Sequence, residues 1–267
     1  VSDGTLYVAG GTNANEPPGN RDYLRPDAAE NVYALSLAGE EQWRYEARAG
    51  VGGRLRVVGG GVHAVVGWNA GTHGVDQRLV RLVDGERRWE ANPAEGYLSI
   101  LGDRDGTTFV GTSDDQYGVS GETTHAVGSD GAERWRVESG DAREGLVHEG
   151  TLYVPYGARR TTALDLETGE ERWAKGMAAA GDLRVFGDTL YLRAEEENAD
   201  GDYPLVAVDA ATGEERWRYA AAGGDEGPFV PTGAVEDGAG ERVCGTEYGG
   251  LLFALDPETG DEVWRYP

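Results

Sequence analysis

One phrase recurs along this chain and sets the terms for its fold. Thr162–Trp173 reads TALDLETGEERW, VAVDAATGEERW ends at Trp217, and FALDPETGDEVW ends at Trp264. Each is an apolar/polar alternation, a turn built around Gly, and a second alternation that closes on Trp. Three weaker copies precede them: ALSLAGEEQW (34–43), VRLVDGERRW (80–89) and AVGSDGAERW (126–135). The closing residues Trp43, Trp89, Trp135, Trp173, Trp217 and Trp264 are spaced by 46, 46, 38, 44 and 47 residues. Of the 7 Trp, only Trp68 lies outside the series. A period of this length marks a stacked-repeat architecture, because one such unit cannot bury both of its faces alone.

A second signal sits ahead of each copy. DGTLYVAGG (3–11), GGVHAVVG (60–67), DGTTFVGT (105–112), EGTLYVPYG (149–157), GDTLYLRA (187–194) and GERVCGT (240–246) each read as a turn and then a strand. Five of them follow a further short strand, such as DLRVFG. Every repeat therefore holds four antiparallel strands, A to D, with tight A–B and C–D turns and B–C and D–A links of varying length. Four short strands per 38–47 residues predict an all-β chain, a β-propeller of four-stranded blades with six blades visible. We read residues 1–267 as one propeller domain. Its first blade lacks the innermost strand, because VSDGTLYV at Val1 aligns with VHEGTLYV at Val147.

The phrase itself resembles the tryptophan-docking motif of the PQQ-enzyme-like repeat family, Ala-x-Asp-x-x-Thr-Gly-x-x-x-Trp. Ala163, Asp165, Thr168, Gly169 and Trp173 match it, as do Ala207, Asp209, Thr212, Gly213 and Trp217, and Ala254, Asp256, Thr259, Gly260 and Trp264. The resemblance implies that each Trp stacks between the Ala of its own blade and the Gly-bearing peptide of the next. Copies one to three lack the Asp and Thr, which predicts looser docking of Trp43, Trp89 and Trp135. Members of the family often have seven or eight blades, which allows a larger ring in the full-length protein.

Charge narrows the partners. Lys+Arg 24 against Asp+Glu 48 leaves a formal net charge of −24. That sign argues against a nucleic-acid backbone as partner and against an anionic membrane surface. Lys175 is the single Lys, and the chain is rich in Gly, 43 of 267 residues. An acidic, Lys-poor composition of this kind resembles proteins of salt-loving archaea. At about 1 M salt the Debye length is only ~3 Å, so self-repulsion is screened. Cys244 is the one Cys, so no internal disulfide forms. No apolar run reaches the roughly 18 residues of a membrane span. The start at Val1 instead of Met suggests processing or excision from a longer chain.

Variable loops on a rigid scaffold are where binding residues concentrate. The B–C loop face carries Tyr23, Trp68, His73, Tyr117, Tyr156, Arg159, Arg160, Tyr203 and Tyr248. A ring of aromatics with a local cationic spot suits a planar ligand or a peptide, and a plugged channel mouth would use the same residues. Asn198, Asp200 and Asp202 space oxygen ligands as a Ca²⁺ loop does, without the closing Glu. The four His, at 63, 73, 125 and 148, have no metal-ligand spacing, and no nucleophile motif is present.

These observations predict a non-catalytic scaffold that binds a protein or small ligand on its B–C loop face, with no resident cofactor. The alternative implied by the resemblance is a quinoprotein dehydrogenase using pyrroloquinoline quinone and Ca²⁺. Enzymes of that group typically hold the quinone between a Trp and a disulfide of adjacent Cys, which one Cys cannot form. An extracytoplasmic sensor domain is a third reading. By resemblance the location is the cell surface, with or without a lipid anchor.

Overall fold

The computed structural model describes residues 1–11, 30–47, 51–69, 75–93, 96–113, 122–140, 142, 144–156, 160–176, 183–194, 204–219, 230–237, 240–246 and 252–266. Among these residues the secondary structure is strand and turn. Six antiparallel sheets follow one another, each hydrogen-bonded in chain order. Blade 1 has three strands, β1 (Thr5–Gly11), β2 (Glu30–Ser36) and β3 (Glu41–Glu46). Blade 2 has four, β4 (Val51–Val58), β5 (Gly61–Asn69), β6 (Val75–Val83) and β7 (Glu86–Ala91). Blade 3 is β8 (Tyr97–Arg104), β9 (Thr107–Ser113), β10 (Thr123–Val127) and β11 (Glu133–Glu138). Blade 4 is β12 (Leu146–His148), β13 (Thr151–Tyr156), β14 (Arg160–Asp165) and β15 (Glu171–Lys175). Blade 5 is β16 (Arg184–Phe186), β17 (Thr189–Arg193), β18 (Leu205–Asp209) and β19 (Glu215–Tyr219). Blade 6 is β20 (Val230–Asp237), β21 (Gly240–Thr246), β22 (Leu252–Leu255) and β23 (Glu262–Tyr266). The fold class is the all-β propeller type. The chain divides into two compact units, Val1–Val147 and His148–Pro267.

Turn chemistry explains the hairpins. Asp105-Gly106 and Glu149-Gly150 both take positive φ, 47° and 80° and then 42° and 79°. Such two-residue turns match the right-handed twist of the strands they join. At the C–D hairpin every sheet has a register shift just after the residue that faces its Trp. The bulge sets three residues in line across B, C and D: Tyr7, Ala34 and Trp43; Phe109, Ala126 and Trp135; Tyr153, Ala163 and Trp173; Tyr191, Ala207 and Trp217; Cys244, Ala254 and Trp264. The small Ala lets the flanking rings meet over it. Ring centroids are 5.8 Å apart for Tyr7 and Trp43, 5.9 Å for Tyr153 and Trp173, and 5.8 Å for Tyr191 and Trp217.

Blade 2 breaks the pattern. Its Asp84-Gly85 turn joins Val83 directly to Glu86, with φ of 53° and 76°. The turn is one residue shorter than the alignment of sequence copies implies, so Arg81 and not Val80 stands opposite Trp89. His63 completes that row.

Within each unit, neighbouring blades meet through Trp and Gly. A Cβ built on Gly85 would lie 3.2 Å from Trp43, and one on Gly131 would lie 3.0 Å from Trp89. In the second unit the same construction puts Gly213 2.7 Å from the Trp173 ring and Gly260 2.6 Å from the Trp217 ring. These glycines also have φ of 68° to 82°. Steric room and backbone conformation therefore both demand Gly. Trp89 Nε1 donates to Ser129 O at 2.7 Å, Trp173 Nε1 to Ala210 O at 3.0 Å, and Trp217 Nε1 to Pro257 O at 2.8 Å. Around these joints, Val32, Val62, Ala64, Val80 and Leu82 fill the space between blades 1 and 2, and Tyr191, Leu205, Val243, Phe253 and Leu255 that between blades 5 and 6.

Candidate functional site

Of the loop-face residues, Tyr23, His73, Tyr117, Arg159, Tyr203 and Tyr248 lie outside the described residues, as do Asn198, Asp200 and Asp202. Trp68 is in β5, opposite Asp76 of β6. Tyr156 is the half-buried last residue of β13, and the ladder sets it opposite Arg160, the first residue of β14. The Arg160 guanidinium is paired with the Glu171 carboxylate one strand further out. Its charge is thus balanced within its own sheet.

Two buried polar groups in the first unit carry no sequence motif. Thr123 and His125 are two residues apart on β10 and so share a face. His125 is fully buried, with Nδ1 2.8 Å from Glu133 Oε2 and Nε2 2.6 Å from Thr123 Oγ1. A carboxylate only accepts, so Nδ1 carries the hydrogen and Nε2 accepts from the Thr123 hydroxyl. Burial lowers the His125 pKa, and Glu133 opposes that shift in part. Thr112 Oγ1 accepts the Thr123 N–H at 2.7 Å. The row is a neutral imidazole between a hydroxyl and an orienting carboxylate. It is able to move a proton, and it also satisfies every polar atom it buries.

His63 is the second group. Its Nδ1 meets Thr108 Oγ1 of blade 3, its Nε2 lies 3.4 Å from Arg81 Nη1, and its ring sits edge-on to Trp89 at 5.1 Å. Burial, helped by the Arg81 charge, lowers its pKa to about 4. Arg81 Nη2 donates to Gly59 O at 2.8 Å. Sequence spacing missed both clusters because Glu133, Thr108 and Arg81 come from other strands than the His they meet.

A family model described as outer membrane protein assembly factor BamB, of the PQQ-like repeat type, matches residues 120–267. The chain belongs to this PQQ-like repeat family. Among solved structures, BamB from Moraxella catarrhalis superposes with a TM-score of 0.60 and 21% identity, over 88% of this chain and 67% of that one. The quinohemoprotein alcohol dehydrogenase ADHIIG of Pseudomonas putida HK5 gives 0.61 and 17%, over 84% and 43%. At these identities the likeness is one of fold. Among curated proteins, a quinoprotein ethanol dehydrogenase of Pseudomonas aeruginosa is 30% identical over 152 residues, 49% of this chain and 23% of the enzyme. This chain therefore spans about a quarter of the curated relatives it matches.

Those relatives correct one expectation. The sequence predicts a non-enzymatic chain, yet the curated relatives it matches are quinoprotein dehydrogenases. The absence of a recognisable nucleophile or acid/base motif was a poor guide, because the hard chemistry of such enzymes resides in the cofactor. The described residues do not fit a calcium–quinone centre. Among them no three His, Cys, Asp or Glu converge to hold a metal. Cys244, the one Cys, is half-buried in β21 in the row that other blades fill with an aromatic ring. No catalytic step through that group follows from these residues. Among the described residues no helix is long and apolar enough to cross a membrane.

Proposed function

We propose that this chain is a propeller scaffold that holds a protein partner at the cell surface of a salt-loving organism. The observation that supports this reading is the family match over 120–267, whose description is an assembly factor for outer membrane proteins. The reading requires no bound cofactor. The net charge of −24 supports the high-salt setting, since carboxylates retain water where salt competes for it. The partner face is the B–C loop side, where Tyr156 and Arg160 are set side by side. A strand-forming peptide of alternating apolar and polar residues, the chemistry of an unassembled barrel strand, is the probe. Fluorescence polarisation at molar salt should show saturable binding, weakened by Tyr156→Ala. No binding by the folded chain would sink this reading.

A second reading is favoured by the 30% identity to the ethanol dehydrogenase. In it, the chain contributes blades to a quinone-dependent alcohol oxidation. Calorimetry with pyrroloquinoline quinone and Ca²⁺, at molar and at low salt, separates the two. Stoichiometric binding supports the second reading and removes the support for the first.

A further inference from the structure

Among the described residues, blade 3 holds an imidazole where the other blades do not. His125 precedes Ala126, the residue opposite Trp135. At the corresponding places the other blades have Tyr33, Val80, Thr162, Val206 and Phe253. The carboxylate that His125 meets is ordinary in position and unusual in use. Glu41, Glu215 and Glu262 also stand two residues before their Trp. Each pairs with the Arg just past that Trp: Arg44 at 3.4 Å, Arg218 at 2.9 Å and Arg265 at 3.0 Å. Blade 3 has Arg136 at that place, yet Glu133 Oε2 lies 2.8 Å from His125 Nδ1.

The row has a direction. Glu133 accepts the Nδ1 hydrogen, so Nε2 accepts from the Thr123 hydroxyl at 2.6 Å. The Thr112 hydroxyl donates to Thr123 O at 3.1 Å and accepts the Thr123 N–H at 2.7 Å. Thr123 is thus pinned by its backbone, and its hydroxyl hydrogen stays on the imidazole. His125 and Thr112 are wholly buried, whereas Thr123, the first residue of β10, is half-buried. A hydroxyl on a neutral imidazole that a carboxylate orients is the arrangement of a nucleophile, its base and the group that positions the base. His63 shows that a buried His beside a Thr does not by itself produce it. There Nε2 faces the Arg81 guanidinium, which only donates, so Nδ1 donates to Thr108 Oγ1 and the bond runs from imidazole to hydroxyl.

We propose that Thr123 is an acyl-accepting nucleophile, with His125 as its general base and Glu133 as the positioning carboxylate, acting on esters of small uncharged acyl groups. Thr123 Oγ1 bonds to the ester carbonyl carbon as its proton passes to His125 Nε2. The bond from that carbon to the alcohol oxygen breaks, and the proton leaves with the alcohol. Water then attacks the acyl group on Thr123, passes a proton through Nε2 back to Thr123 Oγ1, and the carboxylic acid departs. The Glu133 charge offsets the imidazolium formed in each step. A half-buried hydroxyl at the start of a strand admits a small acyl group, and a formal net charge of −24 disfavours an anionic one. All four residues lie in blade 3, and the inference stands independently of the partner and quinone readings above.

The test is hydrolysis of p-nitrophenyl acetate by the whole chain at molar salt, with peptide mapping after an acid quench. The wild type should release nitrophenolate, and the acetyl group should map to Thr123. Lys175 is the single Lys, which keeps acylation of side-chain amines to one known position. Thr123→Val keeps the shape of the side chain without its hydroxyl and should lose the reaction, whereas Thr123→Ser should keep it. Glu133→Gln still accepts the Nδ1 hydrogen through its amide oxygen but no longer offsets the imidazolium, and it should slow release about a hundredfold. Circular dichroism reports whether each variant is folded. Glu133→Gln, changed at a partly exposed side chain, decides the matter if Thr123→Val does not fold. The proposal is overturned by a wild type no faster than folded Thr123→Val, by an acetyl group found only at Lys175 or another site, or by Glu133→Gln reacting at the wild-type rate.

Discussion

The two compact units solve one problem with different chemistry. In Val1–Val147 the C–D turns have lost the Asp and Thr of the motif, and the joints rest on Trp43 and Trp89, both half-exposed. In His148–Pro267 the turn builds itself. Asp165 Oδ1 accepts from Glu167 N at 2.9 Å and Thr168 N at 3.0 Å, and Asp209 Oδ1 accepts from Ala211 N at 3.0 Å and Thr212 N at 2.9 Å. The other carboxylate oxygens each take an Arg, Arg172 and Arg216, at 2.7 Å. The Asp209 turn, and the Asp256 turn whose Oδ1 accepts from Glu258 N at 2.9 Å and Thr259 N at 3.2 Å, present Gly213 and Gly260, where an added Cβ would lie 2.7 and 2.6 Å from the Trp173 and Trp217 rings, against 3.2 Å from Trp43 at Gly85 and 3.0 Å from Trp89 at Gly131. The first unit carries its polar groups inside instead, as His63 and His125. The difference teaches that the Asp-x-x-Thr-Gly segment acts on packing: it stiffens the surface that the neighbouring indole must meet.

Removing the indoles gives the sharpest contrast. Trp217→Ala should cost about 3–5 kcal/mol, the range for a buried aromatic, and Trp43→Ala about 1–2 kcal/mol because less ring area leaves water. Guanidinium unfolding of the two variants measures this, and equal losses would break the comparison. Acid should separate the units next. His63 stays neutral in the fold down to about 4, while in the unfolded chain it protonates near 6.5. The unfolded state therefore binds more protons in that window, and stability of the first unit falls as pH drops from 6.5 towards 4, on the order of 3 kcal/mol in full. Arg172 holds Asp165, and Arg216 holds Asp188, down to about 2, against an ordinary 3.8. Their contribution is present above 3.8 and is lost only as pH falls towards 2. Hydrogen exchange at pH 5 should thus speed up in 1–147 and not in 148–267, and uniform acceleration would contradict the assignment. Gly213→Ala, with φ of 68° and a ring 2.7 Å away, should cost roughly 2–3 kcal/mol, against about 1–2 kcal/mol for Gly85→Ala. Thermal unfolding ranks the two.

Much of the architecture was readable in the chain. Period, alternation and the Gly–Trp pairing located all six sheets, because each rests on contacts within a few residues of a turn. The candidate site was less legible. Tyr156 and Arg160 are brought together by one ladder pair, as neighbouring residues on a hairpin must be. His125 gave no signal, since Glu133 and the Thr112 that accepts from Thr123 lie on other strands, and the two-residue spacing of Thr123 and His125 is that of any strand face. The enzymatic character of the curated relatives left no motif either, because a cofactor supplies the chemistry there.

The sequence by itself determined the repeat, its turns and the six Trp, since these follow from local φ preference and strand periodicity. Tertiary structure alone decided which residues stand in line with each Trp. The two-residue Asp84-Gly85 turn shifts the register and sets Arg81 and His63 beside Trp89, and a one-residue slip moves every side chain to the other face. It also decided what covers each indole. For Trp43, Trp89, Trp173 and Trp217 the cover is a turn about forty residues further along the chain, and whether it arrives depends on how the next sheet packs, which no local preference encodes.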